Sequence, residues 1–123
     1  MLIGKKRDDG SRCWQFLMLV EGLEIPYEDG QTLGGGFTTR TVRANSELDA
    51  LALVRESIIA ELVSFDQSVD TSELRLSVVR SRPVSARGKR RMPNGGFAFF
   101  PKNDEEGKTG ALDVEIKAHN WDE

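Results

Sequence analysis

The sequence predicts an α+β fold, a two-layer sandwich in which an antiparallel sheet of four to five strands carries one main helix. Three observations predict it. Short segments rich in β-branched and aromatic residues are set off by Gly, Pro, Asn and Asp clusters, the pattern of strands and turns. One capped stretch near the middle of the chain has apolar residues at helical spacing. The segments run β-β-α-β-β with a closing β, an order that lays one helix on an antiparallel sheet.

Residues 14–21 (WQFLMLVE) read as the first strand, with Trp14, Phe16, Met18 and Val20 on one side and Leu17 and Leu19 on the other. Apolar residues on both sides mark a central strand. Pro26, Asp29-Gly30 and the run Gly34-Gly35-Gly36 then read as a connection. Residues 37–44 (FTTRTVRA) are a second, half-wet strand. Ser46 with Asp49 three residues on resembles a capping box and opens a helix over 46–64. Its apolar stripe is read as Leu48, Leu51, Ala52, Ile58, Ile59 and Leu62, which places Arg55 inside the stripe. LRLSVVRS (74–81) is a third strand with Leu74, Leu76 and Val78 inward, and FAFFPK (97–102) a short fourth. NDEEGKTG reads as a solvated turn, and ALDVEIKAH, with Leu112, Val114 and Ile116 alternating, as the fifth and edge strand. The other sheet face then needs cover; the aromatic side of Trp14, Phe16, Phe97 and Phe99 is a candidate for it, though ordinary core packing is the commoner role of such residues.

At 123 residues, with 38% hydrophobic and 30% charged residues, the chain is expected to form a single domain over 1–123. No apolar run approaches the roughly 20 residues of a membrane helix, and the N-terminus lacks the apolar core of a secretory signal. The lone cysteine, Cys13, excludes an internal disulfide and a multi-cysteine metal site. A reduced, cytoplasmic protein is expected. The net charge of −3 conceals a split. Arg75, Arg80, Arg82, Arg87, Lys89, Arg90, Arg91 and Lys102 lie in a segment without any carboxylate, leaving −11 elsewhere. A mobile basic loop is expected at 82–95.

The glycine run fails as a phosphate loop, because it leads into a strand rather than a helix N-terminus and no Gly-Lys-Ser/Thr follows. GGFAFFPK resembles the aromatic strand of an RNA-recognition motif through Gly96, Phe97, Ala98 and Phe99. Gly95 stands in the basic position, however, Pro101 interrupts the pattern, and no helix is read after it. Catalysis finds no constellation. His119 is the one histidine and sits near the end of the sequence, and no serine lies in a nucleophile elbow. No catalytic residue, cofactor site or metal site is therefore assigned. The binding candidates are Arg40, Arg55, Arg80, Arg82, Arg87, Lys89, Arg90, Arg91, Phe97 and Phe99.

Gly36, Phe37, Thr38, Thr39, Arg40, Val42 and Ala44, followed by the capped Ala/Leu-rich helix, carry a resemblance. The segment is similar to the G-F…T-T-R-x-V-x-A strand of short uncharacterised bacterial proteins. The architecture resembles small antitoxins of the HicB type and bacterial immunity proteins, a likeness of fold alone. It implies a small non-enzymatic bacterial protein that binds another protein or a second copy of itself as a homodimer. The alternatives are a nucleic-acid-binding module using the basic residues 80–91, and a small-molecule enzyme or sensor in which Arg40 or Arg55 reads an anion.

Overall fold

Apolar side chains on both faces of the first strand decide the architecture. The computed structural model describes residues 12–85 and 95–122. Strand β1 (Arg12–Pro26) pairs antiparallel with β2 (Thr32–Ala44), so that Phe16 faces Arg40, Leu17 faces Thr39 and Met18 faces Thr38. β3 (Arg75–Val84) joins the other side of β1, and β4 (Ala98–Pro101) the outer side of β2. Among the described residues the sheet is therefore four-stranded and antiparallel, in the order β3-β1-β2-β4.

Among the described residues, two α-helices pack on this sheet. α1 (Glu47–Phe65) begins at Ser46, whose hydroxyl accepts the Asp49 backbone N–H at 3.1 Å and satisfies an otherwise unpaired donor. α2 (Glu105–Ala118) begins at Asp104, whose carboxylate accepts the Gly107 N–H at 2.9 Å. The expected class, an α+β fold on an antiparallel sheet, is the one observed. The expected final strand is not formed: residues 111–118 are helical. Leu112 and Ile116 lie four apart, one helical turn, so their spacing serves a helix as well as a strand. Val114, which completes the alternation, is 61% exposed. "DEE" (104–106) is thus a helix start rather than a solvated turn.

This second helix makes three layers where two were expected. On one face Phe16, Met18 and Val20 pack against Ala50, Val54, Ile58 and Leu62 of α1. On the other, Leu17 and Phe37 pack with Phe100, Ala111 and Trp121, flanked by Leu112 and Ile116 of α2. Trp14, Phe16, Phe97 and Phe99 take the commoner role, packing in the core on the α1 side rather than on an uncovered face.

The buried stripe of α1 is also rotated from its expected position. It runs through Ala50, Val54, Ile58 and Leu62, leaving Leu48 and Arg55 exposed. Apolar residues occur nearly all round this helix, so several stripes fit the sequence. The glycine run lies inside β2 rather than before it. A Cβ on Gly35 would stand 2.3 Å from the Val20 carbonyl oxygen and 2.6 Å from the Phe100 ring, and one on Gly34 2.7 Å from the Lys102 Cα. These glycines let β4 and its aromatic rings lie close over the strand. β3 carries a bulge between the partners of Leu17 and Met18, and Val78, expected inward, is exposed. Arg82 of the expected basic loop lies in β3, while residues 86–94 fall outside the described residues.

Candidate functional site

Arg40 is 2% exposed and fully engaged. Its Nε donates to the Thr38 hydroxyl at 2.9 Å, and its terminal nitrogens donate to the Ser57 hydroxyl at 2.8 Å and Glu61 at 2.5 Å. The Phe97 ring lies 5.2 Å from its guanidinium. Glu61 also accepts the Gly96 N–H at 2.9 Å, while the Thr38 hydroxyl donates to the Gly96 carbonyl at 2.7 Å. The network ties the entry of β4 to α1 and leaves Arg40 no exposed face to offer a ligand. Arg55, by contrast, points to solvent from the outer side of α1.

Arg80 and Arg82 work on the opposite side of the sheet. Arg82 donates to the Gln15 side chain at 2.7 Å and to the carbonyls of His119 and Asn120 at 3.1 and 3.3 Å. Its guanidinium stacks 4.2 Å above the Trp121 ring, and Arg80 donates to the Trp121 carbonyl at 3.0 Å. Two guanidinium groups thus bind the carbonyls that follow α2, where the helix dipole favours positive charge. His119, near the end of the sequence, is buried and faces Glu115 across 3.3 Å.

Phe97 and Phe99 stack on each other at 5.1 Å, and Phe99 on Phe65 at 5.6 Å. They belong to the edge of β4, on the face covered by α1. Arg80 and Arg82 belong to the opposite edge and the opposite face. The structure does not bring these candidates into one basic aromatic surface. Arg87, Lys89, Arg90 and Arg91 lie outside the described residues.

What the fold does assemble is an open apolar groove of about 490 Å³, lined by Tyr27, Gln31, Leu33, Phe65, Phe99 and Pro101. Three elements build it. The β1–β2 connection is closed by hydrogen bonds between Tyr27 and Gln31 and between Gln31 and Glu28, which hold Tyr27 at the rim. α1 ends at Phe65, and β4 contributes Phe99 and Pro101. Tyr27 is 54% exposed and Phe65 57%. Neither Tyr27 nor Phe65 stands among the binding candidates that the sequence supplies. The available signal was an aromatic residue at the mouth of each of two turns.

A second cleft, of about 470 Å³, lies at the start of α2 among Glu21, Glu24, Arg75, Lys102 and Lys108. Lys102 pairs with Glu24 and Lys108 with Glu21 within it, and Asp104 occupies the helix N-terminus. Among the described residues, no His, Cys, Asp and Glu side chains cluster as a metal site would require, and no helix is long and apolar enough to cross a membrane. No family model, curated protein or solved structure matches the chain.

Proposed function

We propose that this is a cytoplasmic bacterial protein that works by binding another protein through the Tyr27–Phe65 groove, rather than by catalysis. The observation that carries the reading is two large aromatic side chains, each more than half exposed, at the mouth of an apolar groove with a Phe99 and Leu33 floor. Exposed aromatic residues around a pocket are the composition of interface anchors, whereas isolated exposed apolar residues are ordinary. The buried state of Cys13 suits a reduced compartment. An immunity- or antitoxin-like role is one version of this reading and rests on the likeness of architecture alone.

Site-specific cross-linking tests it. A photoreactive phenylalanine analogue at position 27 or 65 of the full chain, expressed in its native cell, is expected to give an adduct with one other protein. The same group at Val114, exposed on α2, is expected to give none. The purified partner should then bind the Phe65→Ser variant about tenfold more weakly. Absence of an adduct at 27 and 65, equal labelling from 114, or adducts only between two copies of this chain would overturn the reading.

A further inference from the structure

Charge is distributed around the groove in one sense. Glu28 and Asp29 are exposed in the turn between Tyr27 and Gln31, both of which line it. Asp66 follows Phe65 directly, and hydrogen bonds from the Ser68 hydroxyl and backbone N–H hold its carboxyl below the ordinary aspartate value. Lys102, beside the groove residue Pro101, is already paired with Glu24. The groove therefore has an apolar floor and an anionic border.

We infer that the groove receives a basic segment of the partner protein, with one aromatic or large aliphatic side chain inserted and Lys or Arg on either side of it. This rests on the proposed protein-binding role and specifies the chemistry of what is bound. An acidic segment would place like charges together at Glu28, Asp29 and Asp66, which is repulsive and slows encounter. A second copy docked through the same groove would do the same, because a two-fold contact sets each patch against itself. A basic segment gains from both features. The apolar side chain buries Tyr27 and Phe65, and the flanking cations meet the rim without being buried.

Three labelled peptides, followed by fluorescence anisotropy, provide the test. The first has a central Trp between lysines and arginines, the second the same Trp between glutamates, and the third Gly in place of Trp between the basic residues. The first alone is expected to saturate, and more weakly as salt rises. Its affinity should fall about tenfold in Tyr27→Ser and in Phe65→Ser. A severalfold loss is expected when Glu28→Gln, Asp29→Asn and Asp66→Asn are combined. Tyr27 is exposed in the hairpin turn, so Tyr27→Ser keeps the test valid should Phe65→Ser disturb the stack with Phe99. Binding of the acidic or Trp-less peptide as tight as the first, binding unchanged in Tyr27→Ser, or no binding at all would overturn the inference. A cross-linked partner that meets positions 27 and 65 with an acidic segment would overturn it while leaving the binding role intact. Peptide binding as expected without any cellular adduct would overturn the binding role alone.

Discussion

At Arg40 a full positive charge lies between a sheet and a helix, and each of its three guanidinium nitrogens donates to a neighbouring side chain. Such a group is costly to desolvate and is tolerated because Glu61, Ser57 and Thr38 receive its donors. Arg40→Met is expected to lower stability to urea by about 2–3 kcal/mol, since it removes the partner of Glu61, Ser57 and Thr38. The loss stays below that of a fully buried broken pair because the Glu61 side chain keeps 36% exposure and can be hydrated. Arg55→Ala should stay within about 0.5 kcal/mol of the parent. Equal losses in the two variants would refute the contrast. The sequence marks both arginines as unusual but does not rank them. That requires the phase of α1, and with Leu48, Leu51, Leu53 and Val54 all present the phase is set only by what the sheet presents to it.

Among the elements, β2 is the one whose composition misleads most. Three consecutive glycines read as slack, yet here they are places where neighbouring strands come too near for a side chain. Gly35→Ala is expected to destabilise by about 1–3 kcal/mol, the usual range for overpacking, as the added methyl meets the Val20 carbonyl and the Phe100 ring. A thermal melt unchanged from the parent would show that the strands can part at no cost. The start of α1 was legible because Ser46 and Asp49 specify it locally. α2 was not, because Gly107, Gly110, Val114 and Ile116 weaken its intrinsic helicity, and the Asp104 cap is joined by contact with the Leu17 and Phe37 cluster in favouring that conformation. The groove was less legible still. Its walls come from a turn, a helix end and an edge strand, and nothing in Tyr27 announces Phe65.

For the molecule as a whole, the arginines of β3 act as fasteners across a long stretch of chain. Arg82 bridges Gln15 and the carbonyls after α2 while covering Trp121, whose indole N–H donates to the Thr39 hydroxyl at 3.0 Å. Arg82→Lys keeps the charge but loses the planar fork and the stack. It is expected to speed hydrogen exchange at the Trp121 indole by about tenfold or more, with Arg80→Ala, which loses a single bond, doing less. Exchange rates in the opposite order would assign the fastening to Arg80. The basic segment that drew attention as a binding surface thus spends two of its members on internal support.

The position of the β1–β2 hairpin at the centre of the sheet has a consequence for synthesis. Both of its faces are apolar, and their covers come from widely separated parts of the chain: α1 directly after the hairpin, α2 only at residues 105–118. A growing polypeptide can therefore shield Phe16 and Met18 early, while Leu17, Leu19 and Phe37 have no helix to meet until the rest of the sheet has been made. Through that interval the nascent chain exposes an oily surface of the kind that chaperones recognise.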